Sequence, residues 1–342
     1  MTAATRARKY QPRKVPDGQQ ATSAMIASLE AEGYDTVAAP FGHALNALAA
    51  KDERIVGLSA DLSKYTDLHV FAKAYPDRFY QMGMAEQSLM GTAAGLAHEG
   101  FVPFATTYAV FASRRAYDFV SQTIAEEGLP VKICCALPGL TSGYGPSHQA
   151  TEDIAIFRGL PDIAIVDPCD ATDVAQMVPE LVAYDGPVYA RLLRGQVANV
   201  LQKHKPDYQF KLGKAQMIRE GSDVLVVSTG IMTMRALDAA EDLAKDGIDV
   251  AVLHCPTIKP LDTETILSEA GKGRLCVLAE NHSKLGGLGE AVATTLLTSG
   301  VTPVFRQIGL PDEFLEAGAL PTLHDMYGIS RSAVGEQIKG WL

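Results

Sequence analysis

The sequence predicts an α/β protein built from two doubly wound domains, and two features of its pattern support that fold class. Short apolar runs of strand length alternate with segments of helical periodicity, as in β-α units around a parallel sheet. The alternation lapses between Gly195 and Lys214, where Gln202-Lys-His-Lys-Pro-Asp207 indicates a polar linker, and then resumes. A chain of 342 residues is long enough for two domains.

The first predicted domain covers residues 36–200. Its strands are predicted at Ile55–Ser59, Phe101–Thr106, Val131–Leu137, Ile163–Asp167 and Val188–Leu192. Its helices are predicted at Gly42–Ala50, Glu86–Glu99, Ser113–Glu127 and Ala171–Tyr184, the last with Asp170 as its N-cap.

The second predicted domain, residues 211–342, repeats the alternation on a smaller scale. Its strands are predicted at Asp223–Thr229, Asp249–Cys255 and Arg274–Glu280. Its helices are predicted at Thr233–Lys245, Asp262–Ala270 and Gly289–Thr298. Pro256 and Pro260 interrupt the crossover between them.

Composition excludes several classes of partner. A net charge of −10 argues against a general nucleic-acid binder. No apolar run has the ~20 residues that a membrane helix needs, and the N-terminus lacks the apolar core of a secretory signal. Five cysteines without metal-ligand spacing favour a reducing, cytoplasmic compartment. Five basic residues precede the first acidic residue, Asp17, and we expect residues 1–35 to form a flexible arm.

Glu86 is the most unusual residue of the chain. It is the only formally charged residue between Arg78 and Glu99, and small residues follow it along a predicted helix. A carboxyl group in apolar surroundings favours its neutral form unless another group pairs with it. The alternative is a helix N-terminal carboxylate, which the helix dipole stabilises by ~0.5 kcal/mol. The apolar flanks favour a functional acid.

Tyr108 and Phe111 follow a predicted strand and its Thr-rich turn. Ligands of open α/β sheets bind beyond the carboxyl ends of strands, where two ring faces can hold a flat heterocycle. The alternative is that both rings belong to the core.

A glycine-rich loop, residues 138–153, delivers His148 between a strand and a helix. His148 can carry a proton or bind a phosphate there; the alternative is a plain turn in which Ser147 or Thr151 caps the helix. Arg194 follows the predicted strand Val188–Leu192, a position that suits phosphate recognition. The alternative is an ordinary surface arginine. The sequence contains neither a GxxxxGKS/T phosphate loop nor a GxGxxG fingerprint.

Together these segments resemble the thiamine-diphosphate-dependent transketolase family, and specifically its pyrimidine-binding domain followed by its smaller C-terminal domain. The motifs that carry the resemblance are, in order, Ser59-Ala-Asp61, Met82-Gly-Met-Ala-Glu86-Gln, Pro103-Phe-Ala-Thr-Thr-Tyr108, Gly143-Tyr-Gly-Pro-Ser-His-Gln-Ala-Thr-Glu-Asp153, Arg158-Gly-Leu-Pro-Asp162, Pro256-Thr-Ile-Lys-Pro-Leu-Asp262 and Glu280-Asn-His-Ser-Lys-Leu-Gly-Gly-Leu-Gly289.

The resemblance implies roles for the candidate residues. Glu86 would bind N1′ of the cofactor's aminopyrimidine and so promote proton removal from the thiazolium. Tyr108 and Phe111 would flank the pyrimidine ring. His148, Arg194 and Tyr144 would contact the substrate phosphate or hydroxyls. Asp61 would lie near the cofactor and the subunit contact.

One part of the family pattern is missing. The diphosphate and its Mg²⁺ are held in the family by a Gly-Asp-Gly motif, which does not occur here. We therefore expect that this chain supplies no metal ligand and that a partner chain carries the motif. We also expect the two chains to form an α2β2 assembly, and this chain to be inactive alone.

The sequence also departs from the family pattern. Tyr144 stands where the family has an aspartate that touches a donor hydroxyl, and Ala136 stands where it has a histidine. The position of a family serine that helps to bind the sugar phosphate falls near Tyr65. A branched or unusual ketose phosphate is one interpretation. Two other functions stay open: the β subunit of a 2-oxoacid dehydrogenase, which shares the domains and the glutamate, and a non-catalytic subunit that retains the fold. Deoxyxylulose phosphate synthase is usually a single fused chain.

Overall fold

A computed structural model describes residues 33–342, so almost all of the predicted N-terminal arm lies outside the described residues. In the first half the strands are β1 Thr36–Ala38, β2 Ile55–Ser59, β3 Phe79–Gln81, β4 Val102–Tyr108, β5 Lys132–Ala136, β6 Ala164–Val166, β7 Val188–Leu192 and β8 Gln196–Ala198. The helices there are α1 Pro40–Ala49, α2 His69–Ala74, α3 Glu86–His98, α4 Ala109–Arg114, α5 Tyr117–Phe119, α6 Asp153–Arg158, α7 Ala171–Ala183 and α8 Leu201–His204.

The second half continues the alternation. Its strands are β9 Gln216–Arg219, β10 Val224–Ser228, β11 Val250–His254, β12 Thr257–Lys259, β13 Leu275–Ser283 and β14 Phe305–Leu310. Its helices are α9 Ile231–Lys245, α10 Thr263–Ala270, α11 Leu288–Thr298, α12 Leu320–Met326 and α13 Arg331–Lys339. None of the helices in the described range combines the length and apolar character needed to cross a bilayer.

The strands form two main sheets. The order in the first is β12-β6-β7-β5-β4-β2-β3, and in the second β14-β13-β10-β11-β9. Within the first sheet the pairs are parallel except that of β12 with β6. Within the second, only β9 runs antiparallel to its neighbour. Because β12 comes from the second half but pairs with the first sheet, the two domains share a sheet edge.

Both faces of each sheet are covered, which confirms the doubly wound α/β prediction. Successive strand residues point to opposite faces. Phe104 of β4 packs in one apolar cluster with residues of α1 and α7, and its neighbour Ala105 packs in another with residues of α3 and α6. In the second sheet, Val226 packs in a cluster with residues of α9, and its neighbour Val227 packs in the other cluster with residues of α11.

Two local predictions around the aromatic segment are wrong. Thr107 belongs to β4 and not to a turn, because its β-branched side chain suits a buried strand, as does that of Thr106, which lies in the predicted strand. The helix predicted at Ser113–Glu127 begins earlier, at Ala109, and is divided into α4, α5 and a π-helical turn at Val120–Ala125. The chain thus passes from strand to helix at Tyr108 without a loop.

A buried ion-pair network of the first domain is bonded to the second domain. Arg191 of β7 donates to Asp153 at 2.9 Å through two nitrogens and to Asp167 at 3.1 Å. The same guanidinium donates to the backbone oxygen of Asn281 in β13 at 3.1 Å. Burial alone would raise the pKa of Asp153, but the charge and hydrogen bonds of Arg191 together lower it. Arg191 is therefore a structural cation, unlike the nearby Arg194.

A second buried network crosses the same domain boundary. His254 of β11 bonds through Nε2 to the Asp173 carboxylate of α7 at 2.7 Å and through Nδ1 to the Thr233 hydroxyl at 2.8 Å. The Asp173 side chain also accepts a hydrogen bond from the Tyr208 hydroxyl. Asp170 caps α7 as predicted, accepting from the backbone N–H of Asp173.

We expect Arg191→Met to lower the free energy of unfolding by ~3 kcal/mol or more, because it leaves two buried carboxylates without their cation. The measurement is denaturant unfolding of the purified chain. The matched control is Arg54→Met, which removes an exposed arginine from its pair with Asp52 and should cost at most ~1 kcal/mol. Equal stability of the two variants would contradict the role given to Arg191.

Candidate active site

The candidate residues meet at the carboxyl edge of the first sheet. Strands β4, β5 and β7 are parallel neighbours in that sheet, so the segments that follow them emerge together. Tyr108 ends β4, the loop that carries His148 follows β5, and Arg194 follows β7. Glu86, the first residue of α3, reaches the same edge, because its carboxylate accepts from Thr107 of β4.

The Glu86 carboxylate is buried and paired. Its residue is 1% exposed. Oε1 accepts from the Thr107 hydroxyl at 3.3 Å, and Oε2 accepts from Nη1 of Arg115 at 2.7 Å. The Arg115 side chain is 48% exposed, so the ion pair has one buried end and one end in solvent. The apolar surroundings expected from the sequence are present, and so is a counter-ion that sequence reasoning missed.

Four rings form a continuous wall beside this carboxylate. Tyr108 and Phe111 have ring centroids 5.8 Å apart, and the His148 ring lies 5.5 Å from Phe111 and 6.3 Å from Tyr108. Tyr144 extends the wall from His148 at 5.6 Å. Burial raises the pKa of the Tyr108 hydroxyl, whereas Tyr144 is about half exposed. The structure therefore brings Tyr108 and Phe111 close to Tyr144 and His148 of the glycine-rich loop.

Arg194 lies at the other end of this wall. Its guanidinium carbon is 5.6 Å from the Tyr65 ring centroid, and Tyr65 in turn lies 6.5 Å from Tyr108. The Asp67 carboxylate fixes the turn beneath by accepting from the backbone N–H of Gly195 at 3.0 and 3.1 Å. Within residues 33–342, the buried Nε of Arg194 has no hydrogen-bond partner. A buried donor in that state suits an anionic or hydroxyl-bearing ligand.

The C-terminal domain holds the base of the His148 loop. Gly139 has φ +58°, and an added Cβ would lie 2.1 Å from the backbone oxygen of Asn281, so glycine is required on both counts. The Asn281 side chain accepts from the N–H of Leu140 at 2.9 Å, and Nε2 of His324 bonds to the Leu140 oxygen at 2.8 Å. Sequence reasoning missed Asn281 and His324; the position of Asn281 just after a predicted strand was the available signal.

The tip of the same loop is held from both domains. Gln149 donates to the backbone oxygen of Glu316 at 3.1 Å. Arg114 donates to the backbone oxygens of Pro146 and Gln149, at 2.8 and 3.3 Å, and pairs with Glu152. These bonds fix the segment that presents His148.

The capping alternative for this loop is wrong. Helix α6 has Glu152 at its N-cap and no side-chain capping bond. The Ser147 hydroxyl instead lies 2.9 Å from Nδ1 of His148. That contact orients the imidazole and leaves Nε2 as the other ring nitrogen for chemistry.

Asp61 is placed less directly. It follows β2, a neighbour of β4, with φ +61°. Its backbone N–H donates to the Gln81 side chain at 2.7 Å, and its carboxylate accepts from Gln81 at 3.2 Å. Asp61 is exposed at the correct edge of the sheet, but these bonds tie it to Gln81 and not to the ring wall.

The glycine-rich motif of the second domain is structural. Glu280 accepts from the backbone N–H groups of Leu288 and Gly289 at 2.7 and 2.9 Å, at the start of α11. Burial raises the pKa of Glu280 to about 7. An added Cβ at Gly289 would lie 1.9 Å from the Gln307 amide. The glycines therefore allow close packing and form no nucleotide fingerprint.

The arrangement suits a flat heterocyclic ligand. A carboxylate beside apolar rings can bind a ring nitrogen of a flat heterocycle. In the described part of the chain, no group of histidine, cysteine, aspartate and glutamate side chains could hold a metal ion. The sequence contains no Gly-Asp-Gly motif.

The chain belongs to the transketolase family. Residues 35–199 match the family model of the transketolase pyrimidine-binding domain, and residues 213–334 match that of the transketolase C-terminal domain. It is 67% identical to an uncharacterized transketolase family protein, y4mN, of Sinorhizobium fredii, over 94% of this chain and 93% of that protein.

Two further comparisons concern proteins described as parts of split enzymes or as subunits. The 6-deoxy-6-sulfo-D-fructose transketolase subunit SqwH of a Clostridium species is 40% identical, over 84% of this chain and 88% of that protein. A solved structure described as a split gene transketolase, inactive beta4 tetramer, superposes with a TM-score of 0.80 at 40% identity, covering 88% of this chain and 96% of that one.

We expect Asn281→Ala to loosen the His148 loop, because the N–H of Leu140 loses a buried acceptor, at a cost of ~1–3 kcal/mol. Hydrogen exchange should become faster at residues 139–149 and stay unchanged in the helix Glu86–His98. Ser332→Ala, on the distant helix α13, is the control. Unchanged exchange in the loop would show that the Asn281 side chain does not hold it.

Proposed function

We propose that this chain is the C-terminal, or β, subunit of a two-chain transketolase, which transfers a two-carbon ketol unit from a ketose phosphate to an aldose phosphate. One observation carries the proposal: a carboxylate with 1% exposure, Glu86, pairs with Arg115, which stacks on one ring of a wall whose far end is the Arg194 Nε donor, without a hydrogen-bond partner in the described range. This arrangement supports a role for Glu86 toward the cofactor and a role for Arg194 toward an anionic group of the substrate.

The residues present fit the aminopyrimidine end of thiamine diphosphate. Tyr108 and Phe111 would hold its ring, and the Glu86 carboxylate would bind and exchange the proton of its N1′ atom. When bound, the cofactor supplies the nucleophilic carbon that carries the two-carbon unit. The Glu86 carboxylate and the rings would exclude water from the space around the bound ring.

Three residues would bind the sugars. We assign the anionic end of the ketose to Arg194, whose buried Nε has no partner in residues 33–342. His148 would bind or protonate a substrate oxygen through Nε2, since Ser147 occupies its Nδ1. Tyr144, about half exposed beside His148, would contact the donor. The sulfo-sugar transketolase among the relatives supports a ketose donor with an anionic end.

The rest of the site would come from a second chain. We propose that an N-terminal transketolase subunit with a Gly-Asp-Gly motif binds the diphosphate and Mg²⁺, that the two chains assemble as α2β2 in the cytoplasm, and that this chain is inactive alone. Asp61, exposed at the sheet edge, would lie near the cofactor and that contact. The domain division would be 36–200 and 211–342.

We expect Glu86→Gln to lower kcat of the reconstituted pair ~100-fold or more, because the proton exchange at N1′ is lost. Glu99→Gln, which removes an exposed acid at the other end of the same helix, is the matched control and should stay within ~2-fold. Steady-state assays use xylulose 5-phosphate with ribose 5-phosphate. Full activity of Glu86→Gln would reject the assignment.

The same reconstituted pair separates the competing functions. Turnover of the sugar pair but not of pyruvate with a lipoyl acceptor supports a transketolase. Turnover of pyruvate alone would instead identify a 2-oxoacid dehydrogenase subunit, and no turnover of either would favour a non-catalytic subunit.

A further inference from the structure

We infer that Arg115 is a positioning residue of the cofactor site, which fixes the charge and direction of the Glu86 carboxylate. The inference rests on the proposed function. Arg115 joins the two features on which cofactor binding depends: Nη1 lies 2.7 Å from Oε2 of Glu86, and its guanidinium carbon lies 4.5 Å from the Phe111 ring centroid.

The Glu86 carboxylate needs this cation because of where it lies. The carboxylate is almost fully buried, and an ionised group in such a place is unfavourable unless it is paired. Two neutral groups also face it. The Thr107 hydroxyl of β4 lies 3.3 Å away, and the Cys135 thiol of β5 stays protonated because burial raises its pKa. Arg115 supplies the positive charge.

Arg115 also gives the carboxylate a direction. Its charge-assisted bond occupies Oε2, whereas Oε1 has only the longer contact with Thr107. Oε1 is therefore the oxygen better able to accept a ligand group. The guanidinium of Arg115 also stacks on Phe111, which fixes its position. Arg115 therefore couples the position of the Glu86 carboxylate to that of the ring wall.

The neighbouring Arg114 has a different task, although the two residues are adjacent in sequence. Arg114 pairs with Glu152 and with backbone oxygens of the His148 loop. Helix α4 ends at Arg114 and the chain turns at Arg115 and Ala116, so the two guanidinium groups diverge. One arginine serves the cofactor acid and the other serves the substrate loop, and the pair provides a matched comparison.

The experiment measures the Kd of thiamine diphosphate in the presence of Mg²⁺ by calorimetry, from pH 6 to pH 9, on the complex with the N-terminal subunit. Arg115→Met should weaken binding ~10-fold or more and move the inflection of the pH profile upward, because an unpaired buried carboxylate takes up a proton more readily. Arg115→Lys should restore part of the affinity. Arg114→Met should leave the Kd within ~2-fold and raise the KM for the sugar phosphate.

A double-mutant cycle tests whether Arg115 acts through Glu86. In a Glu86→Gln background, Arg115→Met should no longer change the Kd. An unchanged Kd and pH profile in both Arg115 variants would overturn the inference, as would an equal loss in the presence and absence of Glu86. If Arg115→Met does not fold, the Kd of Arg115→Lys, measured with Glu86 intact and in the Glu86→Gln background, decides whether Arg115 acts through Glu86. Full activity of Glu86→Gln would reject the proposed function instead, a separate outcome.

Discussion

The structure depends on the burial of one carboxylate beside a wall of rings. Glu86 begins a helix that packs against β4, and the acid is almost fully removed from solvent. A buried charge is tolerated only with a partner, and Arg115 reaches back from the end of α4 to provide one. The direct passage from β4 to α4 puts Tyr108, Phe111 and Arg115 on one side of the acid. Burial, pairing and ring geometry are thus consequences of one strand-helix junction.

The second domain contributes to this site without supplying a residue to the ring wall in the described structure. Arg191 and Asp173 tie it to the first domain through buried hydrogen bonds, to the Asn281 oxygen and to His254, and β12 completes the first sheet. From that fixed position Asn281 and His324 hold the backbone of the His148 loop. The loop is rich in glycine and would otherwise have wide conformational freedom. Domain docking therefore sets the position of the loop that carries His148.

Sequence reasoning predicted the long buried elements well because their patterns are local. Ile55–Ser59 and Val188–Leu192 match the structure to the residue, and the carboxyl edge of the sheet was predicted correctly. The strand Thr257–Lys259 was missed because three residues give no periodicity and its partner lies in the other domain. Arg115 was missed because its pairing with a residue 29 positions away leaves no trace in local sequence.

The central claim is that this chain provides only the heterocyclic half of a thiamine diphosphate site. Calorimetric titration of the cofactor with Mg²⁺ tests it most directly, first into this chain alone and then into its mixture with a Gly-Asp-Gly-bearing N-terminal subunit. The account predicts no measurable binding to the chain alone and one tight site per pair of chains in the mixture. Tight, Mg²⁺-dependent binding to the chain alone would contradict it.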